Sequence, residues 1–248
     1  MKIGFPAASL VARAAGVLVF ACAAPVVHAQ DAPAAAPAAP AAAAEPAPAP
    51  AAAGPKGAIV GDAAAGATKA AVCGACHGIN GNSVNPEWPN LAGQHPQYVV
   101  EQLHLFKGMV RTNPIMQAQA MPLSEQDMAD LAAYFSAQTP TGLEADPSSV
   151  AVAEKLYRGG DAKRGIPACL ACHGPNGVGN GPAKWPQIRS QHAVYAYNQL
   201  KNYATQQRYV PQQGQPAPPA QAQMMYSIAA KLTDAEMKAL AGYLQGLR

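Results

Sequence analysis

The sequence predicts an all-α fold built as two tandem copies of one small helical domain. Three observations carry that prediction. The second half of the chain repeats residues of the first in the same order. The clearest segments in each half have apolar residues at helical spacing behind a capping residue. No stretch alternates convincingly in the way a half-buried strand does.

Residues 1–29 read as an export signal rather than as part of the fold. Lys2 and Arg13 precede an apolar run over 14–27 that is too short to span a bilayer, and Val27-His28-Ala29 offers a small-residue cleavage site. Cys22 lies inside this segment and would leave with it. A rival reading makes Cys22 a lipidated cysteine after Val19-Phe20-Ala21, a context that Phe20 suits poorly. Residues 30–59 follow as a linker. From 31 to 55 it is almost only Ala and Pro, with Glu45 and no large apolar side chain, so it cannot bury a core and reads as an extended spacer. Two domains remain, 60–142 and 143–248.

The two domains match well beyond any single motif. Trp88-Pro89, Leu91, Gln94-His95, Tyr98, Gln102-Leu103 and Arg111 correspond to Trp185-Pro186, Ile188, Gln191-His192, Tyr195, Gln199-Leu200 and Arg208. A helix is expected from about Pro96, with Val99, Leu103 and Phe106 on one face. Its counterpart carries Ala196, Leu200 and Tyr203. The last helix of each domain is the best marked. Ser124 with Asp127, and Thr233 with Glu236, are N-caps with an acid three residues on. Behind them Met128, Leu131, Ala132 and Phe135, and Met237, Leu240, Ala241 and Leu244, fall at i, i+3, i+4, i+7. Residues 210–223 are a Pro/Gln-rich insert in the second domain, read as a surface loop.

Within the repeat, Cys73-Gly-Ala-Cys76-His77 recurs as Cys169-Leu-Ala-Cys172-His173. Cys-x-x-Cys-His is the attachment signature of a c-type haem. Cys73, Cys76, Cys169 and Cys172 would form thioethers to the porphyrin, and His77 and His173 would be proximal ligands to iron. Two covalently bound haem c groups are therefore expected. A zinc site explains the pattern less well, because its cysteine pairs usually lie closer and the histidine after each pair has no role. A thioredoxin-like dithiol would need a nearby βαβ pattern, which is missing. Export suits haem attachment, and a buried macrocycle would add apolar surface to domains of about 80 residues that are marginal on their own.

The sixth ligand follows from the repeat. Met116 lies seven residues before Leu123, and Met225 seven before Leu232, so Met116 and Met225 are equivalent. Met121 aligns with Ala230; as half of a Met-Pro pair it is the runner-up. His95 and His192 are also equivalent, but each lies close behind its proximal histidine at a helix start, so they are read as helix-start or haem-edge residues. The indole N–H groups of Trp88 and Trp185 are candidates for bonding a haem propionate.

These residues, from about 60 to 248, resemble the cytochrome c4 family. The likeness rests on Ala71-Val72-Cys73-Gly74-Ala75-Cys76-His77-Gly78, Leu91-Ala92-Gly93-Gln94, Leu123-Ser124-Glu125-Gln126-Asp127, Tyr157-Arg158-Gly159-Gly160 and Ser227-Ile228-Ala229-Ala230-Lys231-Leu232. The resemblance implies two tandem class I cytochrome c domains, each wrapped around one covalent haem with His/Met ligation, and haems near each other at the domain interface. It also implies a periplasmic electron carrier that delivers to a respiratory haem–copper terminal oxidase. The donor would be a quinol-oxidising complex or another cytochrome. The Ala/Pro arm and the insert before Met225 depart from the family pattern.

The competing readings are a dihaem enzyme, either a peroxidase or a sulfur-compound oxidase, and a haem subunit docked permanently in a larger complex through the arm. An enzyme needs an open or labile iron position and a catalytic constellation that the sequence does not supply, so no catalytic residue is assigned. No nucleic-acid partner is expected; peripheral membrane association would come through the arm or Cys22. Charge separates the domains. Residues 61–146 carry three bases and eight acids, a net of −5, whereas 147–248 carry eleven bases and four acids, a net of +7. Different docking partners for the two domains are expected from that contrast.

Overall fold

The computed structural model describes residues 59–210 and 217–248. The export signal, Cys22, the Ala/Pro stretch up to residue 58 and residues 211–216 of the insert lie outside the described residues. Among the described residues there are ten helices and no strand, only the isolated bridges Asp161–Ile166 and Asn180–Trp185. The first half holds α1 (Ala63–Lys69), α2 (Gly74–His77), α3 (Pro96–Lys107), α4 (Pro114–Ala120) and α5 (Glu125–Ser136). The second repeats the order with α6 (Pro147–Gly159), α7 (Leu170–His173), α8 (Ala193–Ala204), α9 (Ala220–Ala229) and α10 (Asp234–Gly246). In each half the first, third and last helices pack together and the fourth lies on the third.

Capping sets where these helices begin. Ser124 and Asp127, and Thr233 and Glu236, form complete capping boxes in which each side chain satisfies the other's backbone N–H. All eight apolar residues expected on the inner faces of α5 and α10 are buried. On α3, Val99 and Phe106 are buried, whereas Leu103 is half-buried and Gln102 is buried beside it. That polar inner position marks the side of α3 that faces the second half rather than the core of the first.

Four helices were not expected from the sequence, although α6 carries Val150, Ala153, Leu156 and Tyr157 at helical spacing. Helix α1 starts at Asp62, whose carboxylate accepts from the Ala64 and Ala65 N–H groups. It packs on α5 through the absence of a side chain: a Cβ on Gly66 would lie 2.1 Å from the Asp130 carbonyl oxygen. Helix α4 starts at Asn113 and Pro114, α6 at Asp146 and Pro147, and α9 follows Pro219.

The halves differ in how they are held. The second has a cluster of ten buried apolar residues that includes Leu156, Tyr157, Leu240 and Leu244. The corresponding cluster in the first is Ala70, Leu131 and Phe135, with Cys73, Leu91, Leu123 and Tyr134 around it. The first half adds a buried carboxylate. Asp130 accepts from the Asp62 N–H at 2.8 Å, from the Lys69 ammonium at 2.5 Å and from Gln126 at 2.8 Å, tying α1 to α5. The Asp62 N–H, then Lys69 and Gln126, hold the Asp130 carboxyl at about 2.

Both halves belong to one compact unit, joined by bonds that repeat in both directions. The Gln94 carboxamide donates to the Gln187 carbonyl and accepts from the Gln187 N–H, both at 2.9 Å. The equivalent Gln191 carboxamide does the same to Asn90, at 3.0 and 2.9 Å. His95 Nε2 lies 2.7 Å from the Val178 carbonyl, and His192 Nε2 lies 2.8 Å from the Ser83 carbonyl. Equivalent residues making equivalent crossed contacts describe an isologous interface, as in a two-fold dimer, here within one chain.

Two outcomes are expected. A carboxyl depressed in the folded state contributes stability above its unfolded pKa, near 4, and loses it as pH falls towards 2. Thermal midpoints followed by circular dichroism should therefore drop across pH 4 to 2, and Asp130→Asn should start lower and drop less across that window. Gln94→Ala leaves the buried N–H and C=O of Gln187 unpaired and should cost about 1–3 kcal/mol in denaturant unfolding. The exposed Gln119→Ala should change little.

Candidate functional site

Each Cys-x-x-Cys-His segment forms a single helical turn, with the first cysteine as N-cap and the histidine last. The chain then turns away at a glycine with positive φ, 78° at Gly78 and 76° at Gly174. At Gly78 no side chain fits, since a Cβ would lie 2.1 Å from the Asn82 carbonyl oxygen. The turn holds both thiols of a pair together with the imidazole on one short segment.

The four cysteines are half-buried and none is in a disulfide. Burial pushes the Cys73 thiol up, and the Cys169 thiol up to about 11. The raised Cys73 and Cys169 thiols are unlike the low-pKa cysteine of a dithiol oxidoreductase. No cluster of three or more metal-ligating side chains occurs among the described residues, which leaves a zinc site without its ligands.

The histidines decide the chemistry. His77 is buried, and its Nδ1 lies 2.8 Å from the Pro89 carbonyl. His173 is half-buried, with Nδ1 3.0 Å from the Pro186 carbonyl. Burial lowers the pKa of both imidazoles against the opposing pull of the carbonyl, so both are neutral at pH 7. A neutral ring that bonds a carbonyl must donate from Nδ1, which leaves the Nε2 lone pair free for a metal. Two unbridged thiols beside an imidazole in this tautomer are the donor set a covalent haem requires, so the residues fit the group.

The role of the Trp-Pro pairs was missed from sequence. The prolyl carbonyl is the partner of the histidine in each Cys-x-x-Cys-His turn, while neither indole N–H has a protein partner among the described residues. The signal was available: the Trp-Pro pair recurs at nearly the same distance behind both histidines.

The methionines fall on the short fourth helices. Met116 lies on α4, its N–H bonded to Asn113 Oδ1 at 2.9 Å, and Met225 lies on α9; both are half-buried. Met121 is the C-cap of α4 and 53% exposed, and its counterpart Ala230 is the C-cap of α9. The repeat register thus survives the insert. Met224 is 45% exposed. His95 and His192 are N-caps of α3 and α8 whose Nε2 atoms are engaged with carbonyls of the other half. His104 pairs with Glu125 at 3.0 Å. An open groove of about 850 Å³, lined by Val100, Leu105, Ala129 and Ala132 among others, contains none of the motif residues.

Comparison with known proteins gives the same architecture. The family model for cytochrome c matches residues 63–138 and again 158–248. Cytochrome c4 of Pseudomonas aeruginosa is 45% identical over 187 residues, covering 75% of this chain and 89% of the relative. A more distant relative, the thiosulfate dehydrogenase electron acceptor of Thiomonas intermedia, is 38% identical and covers 73% of this chain and 81% of its own length. The solved structure of reduced recombinant cytochrome c4 from Pseudomonas stutzeri superposes with a TM-score of 0.69 at 41% identity, covering 76% of this chain and all of that one.

Proposed function

The chain belongs to the cytochrome c4 family, and on that premise we propose that it carries electrons in the periplasm towards a haem–copper terminal oxidase. It is an electron-transfer cytochrome with two covalently bound haem c groups. In our reading Cys73 and Cys76 bind one haem and Cys169 and Cys172 the other, with His77 and Met116, and His173 and Met225, as axial ligands. The observation that carries it is duplication. Both histidines are pinned by a prolyl carbonyl, and both half-buried methionines occupy the same register on equivalent helices. A dihaem enzyme would need one site to differ.

Each haem supplies a one-electron ferrous–ferric couple whose potential methionine ligation raises. The protein's part is to hold still. The prolyl carbonyls fix the proximal rings, and the Asn113 cap fixes the backbone at Met116. No helix among the described residues is long and apolar enough to cross a membrane. We place the domain boundaries at 60–142 and 143–248, after a signal over 1–29 and a linker over 30–59. The relative named as an electron acceptor of thiosulfate dehydrogenase supports a second reading of the donor, in which a sulfur-compound dehydrogenase reduces this chain.

Docking charge is narrower than the sequence count suggests. Lys184 pairs with Glu101 of the first half at 2.9 Å, and Arg158, Arg164, Lys238 and Arg248 each pair with carboxylates. Lys155, Lys163, Lys201 and Lys231 are exposed and have no carboxylate partner among the described residues, so they are the exposed bases left to present a basic face to an acidic partner.

Replacing Met116 or Met225 should remove about half of the weak Met–Fe(III) charge-transfer band, whereas Met121→Ala should leave it. The reduced wild type should bind carbon monoxide poorly. Rapid stoichiometric binding at one haem would favour the enzyme. Reversing Lys155, Lys163 and Lys201 to glutamate should slow electron transfer with one partner at low salt and flatten its salt dependence, because screening limits steering to about 8 Å near physiological ionic strength. Unchanged rates and slopes on both the donor and acceptor sides would rule that face out.

A further inference from the structure

The repeat is broken at one place outside the Cys-x-x-Cys-His turns. The first half reads Leu91-Ala92-Gly93-Gln94-His95, and the second reads Ile188-Arg189-Ser190-Gln191-His192. Arg189 and Ser190 thus stand where the copy has Ala92 and Gly93, between flanking residues that match. Gly93 has a φ of 69°, and Ser190 takes the same left-handed conformation at 52°. Glycine adopts it freely, whereas a residue with a Cβ is strained there. Strain of this kind collects where a side chain is used.

The Ser190 hydroxyl has nothing to bond. Ser190 is 4% exposed, its N–H donates to the Leu244 carbonyl at 3.0 Å and its carbonyl accepts from Asn90 Nδ2 at 2.8 Å. Its Oγ has no partner among the described residues. Ser190 lines an open cleft of about 440 Å³ together with Arg189, Arg248 and residues 139, 140 and 142 of the connection between the halves. Arg189 is half-buried and donates from Nε to Gln187 Oε1 at 3.2 Å, which leaves its terminal N–H groups without a partner among the described residues. No carboxylate lies within ion-pairing distance of it among those residues. Arg248, just beyond α10, donates from Nη2 to the Leu143 carbonyl at 3.3 Å and to Glu144 at 3.1 Å. The Glu144 side chain is 93% exposed, and an exposed pair of this kind is weak, so Arg248 keeps most of its charge for the cleft.

The unsatisfied groups are donors: one hydroxyl and the end of one guanidinium, with a second guanidinium beside them. They call for a negatively charged acceptor with several oxygens. A guanidinium fork meets two oxygens of an oxyanion at once. A tetrahedral ion keeps further oxygens for the hydroxyl and the second guanidinium, whereas a carboxylate has only the two. The depth of Ser190 selects a small free ion over a group carried on a membrane or protein surface. We propose that Arg189, Ser190 and Arg248 form a binding site for a free tetrahedral oxyanion of the phosphate and sulfate class, present in the second half alone. The ion acts on the interface. Arg189 is bonded to Gln187, whose Nε2 donates to the Ala92 carbonyl at 3.1 Å, and the Ser190 carbonyl is held by Asn90. Tying Arg189 to Arg248 therefore steadies the segment that joins the halves.

The test is calorimetric titration of the intact oxidised holoprotein with inorganic phosphate, at an ionic strength held constant with chloride, alongside thermal midpoints. One phosphate should bind per chain and sulfate should compete for its place. The midpoint should rise with phosphate, because only the folded chain holds the site. Arg189→Ala with Ser190→Gly, which rewrites the segment as its own copy, should weaken binding by roughly tenfold or more and remove the rise. Ser190→Gly alone should weaken binding without lowering the midpoint in chloride, a combination that loss of fold does not produce. Lys155→Ala, outside the cleft, should change neither. Absence of phosphate binding at millimolar concentrations overturns the proposal, and so does binding that the double variant leaves intact. Acetate bound as tightly as phosphate overturns the tetrahedral class. None of these outcomes bears on electron transfer, which rests on the haem-attachment turns.

Discussion

Gln94 lays its carboxamide along the backbone of Gln187, and Gln191 lays its own along the backbone of Asn90. A primary amide matched to a peptide N–H and C=O satisfies two buried backbone groups at once. It also fixes the distance and the angle between the segments it joins. Asn90 and Gln187 each directly follow the proline whose carbonyl bonds His77 or His173, the histidines proposed as proximal ligands. Movement at the interface would therefore reach both ligand rings through one peptide unit. The reciprocal bonds of His95 and His192, and the crossed bonds of Arg111 to Tyr195 and Arg208 to Tyr98, repeat the same relation around the same axis. The interface and the two haem sites form one mechanical system.

Outside that system the halves have diverged. The first relies on a small apolar cluster and the buried Asp130 centre, the second on a larger cluster around Tyr157 and Leu240. Their net charges are opposite, and part of that opposition is used between them, as Lys184 with Glu101 shows. Val110 and Leu105 of the first half pack with Tyr203, Tyr209, Ala222 and Tyr226 of the second, so the two sides share a third apolar cluster. A duplicated domain that keeps its contact residues and varies its core keeps the relation between its sites while each half finds its own route to stability.

The neutral surroundings of Arg111 and Arg208 follow from this arrangement. An isologous interface places equivalent residues against one another near its axis. A basic residue in the repeat therefore meets its own copy rather than an acid. The tyrosine and glutamine shell orients the two guanidiniums without neutralising them.

The sequence by itself determined the helical class, the tandem repeat, the haem signature, the capped last helices and the methionine register. All of these are local patterns, carried by residues a few positions apart or by one copy set against the other. It also brought out Gln94, His95, Gln102 and Arg111 as residues shared by both copies, though without their partners. Helices α1 and α4 were illegible because their positions rest on a glycine contact or a cap rather than an apolar period, whereas α6 and α9 do bury residues at helical spacing (Val150, Ala153, Leu156 and Tyr157; Ala222, Tyr226 and Ala229) and went unread. Tertiary structure alone decided that the Pro89 and Pro186 carbonyls hold His77 and His173, that His95 and His192 bond across the interface, and that Arg111 and Arg208 meet. Each of those bonds either joins residues far apart in the chain or depends on which atom of a side chain turns inward. Apolar periodicity carries neither kind of information, because it records which face of a segment is buried and not what that face meets.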